Sequence, residues 1–303
     1  MAEKIFIGGL PRSGTTMVQN ILDSHPDIYG GPEFDRIPNI MDLRNKLLKS
    51  LKAGRISTYT SEESINRATS TLIDSLFSGI STTKKIKYIS EKTPWNILFF
   101  EELFEVFPDA KYIMVLRNPL EVYNSMKQVA LNAKKKNISP PDFTINYKIA
   151  VAYMEAVYKI MDKLLNSYSN NFYVIRYEAL LNDLEEETVK LCEFVGVEWT
   201  KRLLDFNKIK HPGEIAMTKN EIWYTKAKFN ADPNEVKKEK KKSVLTYVEK
   251  SFITYMFKKN KLFSESNSNF PELSLLARLI SKLNYSHYKR KYRFNKTPKR
   301  VLP

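Results

Sequence analysis

The stretch KIFIGGLPRSGTTMVQNILDSHP, residues 4–26, constrains the fold of this chain more than any other. Ile5, Phe6 and Ile7 form a short apolar run of the kind found in a parallel strand buried on both faces. Gly8-Gly9-Leu10-Pro11 ends that run, and from Gly14 onward Met17, Ile21 and Leu22 recur at helical spacing. The segment therefore reads as strand, tight loop and helix. The amides of Arg12 to Thr16 converge at the helix N-terminus, where unpaired N–H groups and the helix dipole both favour an anion.

The loop is close to the Walker pattern G-x-x-x-x-G-K-[ST] without completing it. Gly9-Leu-Pro-Arg-Ser-Gly14 has the spacing and is followed by Thr15-Thr16, so the lysine that grips the β- and γ-phosphates of a nucleoside triphosphate is missing. Arg12 sits inside the loop instead. A phosphate cradle of this composition argues against ATP or GTP hydrolysis and fits a nucleotide with a different 5′ group.

Strand and helix signals then alternate along the chain. Asp27 to Pro38 is a short strand or extended loop, since Gly30, Gly31, Pro32 and Pro38 exclude a long element. Helical patterns cover 39–51 and, from a capping start at Thr60-Ser-Glu-Glu, reach about Phe77. Strands are expected at 86–90, 111–116 and 172–176, and helices at 95–106, from Leu120, at 143–168 and at 177–195. This alternation predicts an α/β fold, a parallel sheet with helices on both faces. Ligands of such sheets sit at the carboxyl ends of the strands, and Arg12, Glu33, Lys92 and Arg117 all fall just past predicted strand ends. Beyond Lys208 the pattern becomes irregular. Residues 1–233 are expected to form the main domain and 234–303 a basic helical extension, with an amphipathic helix at 271–283 whose stripe is Leu273, Leu276, Ile280 and Leu283.

A second motif gives the loop its partner. Phe107-Pro-Asp-Ala-Lys-Tyr-Ile-Met-Val-Leu-Arg117-Asn-Pro-Leu-Glu-Val-Tyr-Asn-Ser125 places an arginine at a strand end and a serine one turn into the next helix, where both can share an anion. Together the two motifs resemble the sulfotransferases that use 3′-phosphoadenosine-5′-phosphosulfate (PAPS). The nearer likeness is to the tyrosylprotein-sulfotransferase-like branch, through Leu22-Asp-Ser-His-Pro26, Gly31-Pro-Glu33, Ile37-Pro38 and Glu91-Lys92-Thr93-Pro94. The resemblance covers roughly residues 4–180. It implies a P-loop-like sheet, with Arg12, Ser13, Gly14, Thr15 and Thr16 holding the 5′-phosphosulfate, and Arg117 and Ser125 the 3′-phosphate. It also implies Glu33 as catalytic base and Lys92 as catalytic lysine, with 3′-phosphoadenosine-5′-phosphate (PAP) as product.

The chemistry of the residues agrees with this. Sulfuryl transfer to a hydroxyl needs a base for the acceptor proton and positive charge for the leaving phosphate. Glu33 can supply the first, with Asp35 two residues away as its competitor, and Lys92 with Arg12 the second. No metal is called for. Tyr177 and Glu178 follow the fourth buried strand and are placed near the site, while Thr225, Lys226 and Lys228 are candidates to close over the nucleotide. His25 reads as a local cap or packing residue, and Cys192, with Leu191 and Phe194 to either side, as core.

Charge and composition bound the partners. Of the net charge of +15, residues 234–303 carry +13, from 18 Lys and Arg against 5 Asp and Glu. A nucleic-acid groove through the main domain is therefore not expected. The single cysteine excludes a disulfide framework, and His25, His211 and His287 lack metal-ligand spacing. The Met-Ala-Glu-Lys start runs straight into the first strand, and no apolar run approaches the roughly 18–20 residues of a membrane span. The expectation is a cytoplasmic enzyme without a signal peptide. The basic tail admits three readings: a solvated terminal helix, a peripheral contact with an anionic membrane, or a dock for an anionic acceptor. The acceptor is a hydroxyl on a carbohydrate, a protein tyrosine, or a small metabolite or lipid, and monomer and homodimer are both open. Two other classes compete, a P-loop kinase and a nucleotide-binding module without turnover.

Overall fold

The computed structural model describes residues 2–80, 86–168, 170–212, 222–223, 232–233, 236, 243–263 and 270–292. Its centre is a five-stranded sheet made of β1 (Glu3–Gly9), β2 (Ile28–Gly30), β3 (Tyr88–Lys92), β4 (Lys111–Leu116) and β5 (Phe172–Arg176). The strands are all parallel, in the order β2-β3-β1-β4-β5. Ile7 pairs with Lys92 on one side and Ile113 on the other, so the carboxyl ends of β3, β1 and β4 open onto one crevice. The chain leaves β1 toward β2 and β3 on one side and returns to β4 on the other. That reversal is where parallel sheets bind ligands.

Alternating side chains of the buried strands feed two cores. Phe6, Tyr112, Met114 and Phe172 point to one face, and Ile5, Ile7, Ile113, Val115 and Ile175 to the other. Helix α1 (Thr15–Asp23) covers the second face with Met17, Val18, Ile21 and Leu22. On the first face lie α2 (Ile37–Lys52), α3 (Glu62–Phe77), α4 (Phe100–Val106) and α5 (Pro119–Lys135). The expected α/β class and the helices on both faces are thus present. Cys192 is core as expected, on the α1 side of the sheet.

Several boundaries differ from expectation, each for a local reason. Pro38 does not hold off α2 but sits in its first turn, where a missing N–H costs nothing. Ser61 rather than Thr60 caps α3, its Oγ accepting from the Ser64 amide at 3.2 Å. The helix expected from Trp95 opens as a 3-10 helix, Pro94–Phe99, before α4. The long helix at 143–168 is two, α6 (Asp142–Ile145) and α7 (Tyr147–Ser167), because Asn146 turns to cap α7 through the amides of Lys148 and Ile149. The acid-rich helix likewise divides into α8 (Tyr177–Asn182) and α9 (Leu184–Val195), with Asp183 capping α9.

In the C-terminal region, α10 (Tyr247–Phe257) begins with a capping box between Thr246 and Glu249 and packs Phe252, Ile253 and Phe257 into the first core. Helix α11 (Leu275–Lys291) packs against it. Its buried residues are Ala277, Ser281 and Tyr288, so the expected stripe of Leu276 and Leu283 faces outward instead. The charge run at 237–242 lies outside the described residues.

Candidate active site

The loop between β1 and α1 is held in an unusual backbone conformation. Arg12 has φ +72° and Gly14 φ +107°, the left-handed region where a side chain is strained. Gly14 is the N-cap of α1, so the amides of Thr15 and Thr16 occupy the first positions of that helix and have no acceptor within it. A Cβ on Gly14 would lie 2.3 Å from the Tyr177 ring, which rests directly on this turn. The Arg117 guanidinium stacks on that ring, 4.3 Å from its centroid, and donates through Nη1 to the Arg12 carbonyl at 3.0 Å. Burial lifts the Tyr177 phenol above its ordinary pKa, with the charge of Arg117 opposing.

Two hydrogen bonds among the described residues hold the Arg12 side chain. Its Nε donates to Ser125 Oγ at 3.1 Å and its Nη1 to the Trp223 carbonyl at 2.9 Å. Arg117 and Ser125, expected as a pair, are therefore joined through Arg12, the arginine by the loop's carbonyl and the serine by its guanidinium. Two buried polar atoms in this cradle, Ser13 Oγ and Arg117 Nε, have no hydrogen-bond partner among the described residues. Unsatisfied donors beside a helix N-terminus suit an anionic ligand.

Glu33 reaches the same crevice from the loop after β2, and four side chains position that loop. On the α1 side, Asp23 Oδ1 accepts from the Gly30 amide at 2.7 Å, and Gln19 Nε2 donates to the Gly31 carbonyl at 3.2 Å. On the β3 side, Glu91 Oε1 accepts from the Phe34 amide and Thr93 Oγ1 from the Asp35 amide, each at 3.2 Å. Thr93 Oγ1 donates in turn to Glu91 at 2.7 Å, and Asn96 Nδ2 donates to its other oxygen. Asp35 is itself strained, with φ +56°, and pairs with the exposed Arg36. This Glu91, Thr93 and Asn96 bracket went unrecognised in the sequence because the bonds by which it holds the Phe34 and Asp35 amides cross nearly 60 residues; the acid at the head of Glu-Lys-Thr-Pro was its only signal. Burial pushes the Glu91 carboxyl up to about 7, against the hydrogen bonds from Thr93, Asn96 and Phe34.

Lys92 connects the two halves. It is the last residue of β3 rather than one past it, and it is fully buried. Its ammonium donates to Thr16 Oγ1 at 3.2 Å and pairs with Oε1 of Glu33, a side chain that is 26% exposed. The absent Walker lysine thus has a counterpart in position, a cation brought to the start of α1 from the neighbouring strand.

The other expected residues are placed as follows. Glu178 accepts from the Asn118 amide at 2.8 Å and so ties α8 to the turn after β4. His25 bonds the Glu198 carbonyl at 2.8 Å and accepts from the Asp27 amide, a packing role. His211 bridges Asp23 and the Phe206 carbonyl, both at 2.7 Å. Thr225, Lys226 and Lys228 lie outside the described residues. Among the described residues no group of three or more His, Cys, Asp or Glu is arranged to hold a metal.

The chain is 28% identical over 207 residues to Protein-tyrosine sulfotransferase A of Caenorhabditis elegans, covering 68% of this chain and 53% of that protein. It is 25% identical over 224 residues to Protein-tyrosine sulfotransferase 2 of Gallus gallus, covering 72% and 57%. The chain spans about half the length of these curated relatives. A solved structure, the sulfotransferase domain from the curacin biosynthetic pathway, is 16% identical with a TM-score of 0.47, over 94% of this chain and 98% of that one. The profile of the Sulfotransferase family matches residues 4–201, from the first strand past the loop, Glu33, Lys92, Arg117, Ser125 and Tyr177; the chain belongs to that family.

Proposed function

We propose that this protein transfers the sulfuryl group of PAPS to a hydroxyl acceptor, releasing PAP, with Glu33 as general base and Lys92 and Arg12 as the cationic catalytic groups. The observation that carries the reading is the Glu33–Lys92–Thr16 chain, which joins a carboxylate, a buried ammonium and the phosphate-type turn in one hydrogen-bonded unit. PAPS supplies the sulfuryl group on a phosphosulfate anhydride. The amides of Thr15 and Thr16, with Ser13 Oγ, fit its 5′ end, and Arg117 Nε with Ser125 the 3′-phosphate.

Exposure gives the direction of approach. Glu33 is partly exposed and Lys92 wholly buried, so the acceptor enters on the Glu33 side and the nucleotide lies on the Lys92 and Thr16 side. Glu33 takes the proton of the acceptor hydroxyl as its oxygen bonds to sulfur. The bond from sulfur to the bridging oxygen breaks, and its electron pair leaves on the 5′-phosphate. Once Glu33 is protonated its hold on Lys92 weakens, and the ammonium can turn to the leaving oxygen. Base catalysis of this kind contributes about 10²–10⁴-fold. Lys92, Arg12 and the helix amides supply the positive field, so the scheme calls for no metal.

A protein tyrosine is the proposed acceptor, because the relatives in C. elegans and G. gallus are named for it. A kinase fits less well, since Thr15 stands where the Walker pattern requires lysine. Thermal shift separates the two. PAP without metal is expected to raise the melting temperature; stabilisation by ATP with magnesium and none by PAP would overturn the proposal.

A further inference from the structure

Helix α11 turns its apolar face away from the protein. Ala277, Ser281 and Tyr288 pack inward at 1%, 0% and 0% exposure, and Tyr288 Oη donates to Glu155 at 2.6 Å. Outward stand Leu275, Leu276, Leu279 and Leu283, exposed by 80%, 63%, 56% and 75%. At about 100° per residue these four leucines share one sector of the helix surface. Arg278, Lys282 and Lys289 border that sector on one side, His287 and Lys291 on the other, and Arg290 ends it.

The second border is densely cationic. Lys148 Nζ donates to His287 Nδ1 at 2.9 Å, and Lys148 and Tyr292 line a surface cleft of about 450 Å³ with Ile145, Asn146 and Tyr147. The charge of Lys148 holds the His287 imidazole below its ordinary pKa, with desolvation, Lys291 and Arg290 adding to the effect. From Leu273 to the last residue the sequence has nine Lys and Arg and no Asp or Glu.

We propose that α11 is a docking helix for an anionic phospholipid surface, burying its leucine stripe among the acyl chains while the basic borders meet the headgroup phosphates. The combination decides the occupant. A solvated helix would not present four leucines outward, and two copies meeting through this face would bring like-charged borders together. An anionic bilayer satisfies both the apolar stripe and the basic borders. No helix among the described residues is long and apolar enough to cross a membrane, so α11 would lie on the surface. This inference is independent of the sulfotransfer chemistry.

Co-sedimentation of the whole chain with vesicles tests it. Binding is expected to equimolar phosphatidylcholine and phosphatidylglycerol and not to pure phosphatidylcholine, and to weaken as salt screens the headgroups. The triple variant Leu276→Ser/Leu279→Ser/Leu283→Ser should lower partitioning by about tenfold or more. Because these side chains are exposed, it should keep the parent's melting temperature. Lys282→Glu/Arg290→Glu should abolish the preference for anionic vesicles. Failure to bind the anionic vesicles, or binding that the triple variant leaves unchanged, would overturn the proposal. So would self-association in sedimentation velocity that the triple variant abolishes in a protein indifferent to vesicles; the face would then be a contact between copies.

Discussion

Lys92 pairs its ammonium with the Glu33 carboxylate from a wholly buried position, while Glu33 keeps a quarter of its side chain exposed. The asymmetry decides how the pair can be probed. Removing Glu33 altogether would leave a buried cation short of a partner, a costly change for folding. A glutamine at 33 removes the base and the negative charge but still offers Lys92 a carbonyl oxygen to accept its hydrogen bond, so it is the milder probe.

Arg117 holds the turn through the Arg12 carbonyl and still has one buried N–H without a partner among the described residues. Arg117→Ala should weaken PAP binding by about 1.5–3 kcal/mol, as loss of a charged hydrogen bond does. Adenosine 5′-monophosphate, which lacks the 3′-phosphate, should lose far less. Calorimetric titration of both ligands checks this; equal losses would remove the 3′-phosphate role from Arg117.

Gly14 carries two constraints at once, a φ of +107° and a Tyr177 ring where a Cβ would stand. Gly14→Ala should therefore destabilise the fold by about 1–3 kcal/mol in urea unfolding, and weaken nucleotide binding with it. Pairing it with Tyr177→Ala should recover the steric part and leave the backbone part, a non-additivity that a double-mutant cycle measures.

Glu91 gives the protein a characteristic pH dependence. Its folded-state pKa is raised to about 7 by burial, so the native state binds the proton more tightly than the unfolded chain does. Its contribution is fully present below the unfolded value and is lost as pH rises through the folded one. Between roughly pH 4.5 and 7 the loss should amount to about 3 kcal/mol. Glu91→Gln should flatten that part of the stability profile, read as the difference between the two proteins' urea midpoints at pH 5 and pH 8. An identical slope in both would assign the dependence elsewhere.

The parts of this structure that the sequence announces are those written in local spacing. Glycine and proline punctuation after Ile7, with Met17, Ile21 and Leu22 at helical intervals, marks β1, the loop and α1. Arg117 and Ser125 likewise declare the β4–α5 corner, but spacing cannot say that Arg12 is the group that reaches Ser125. The Glu91 bracket stays hidden because its hold on the Phe34 and Asp35 amides crosses from the end of β3 to the loop after β2, nearly 60 residues away. Asn146 and Asp183 break helices whose apolar periodicity runs straight through them, since each side chain caps the helix that follows. For α11 periodicity finds the stripe but not its direction: the burial of Tyr288 against Glu155 turns the leucines outward.

The central claim is that Glu33 takes the acceptor proton beside a PAPS-type cradle. The direct measurement is transfer of ³⁵S from labelled PAPS to tyrosine-containing peptides, by the parent protein and by Glu33→Gln, with PAP affinity measured in parallel. The account predicts labelled tyrosine from the parent, and turnover about 10²–10⁴-fold lower in the variant at nearly unchanged PAP affinity. Undiminished transfer by Glu33→Gln would contradict it and move the base elsewhere, with Asp35 next in line.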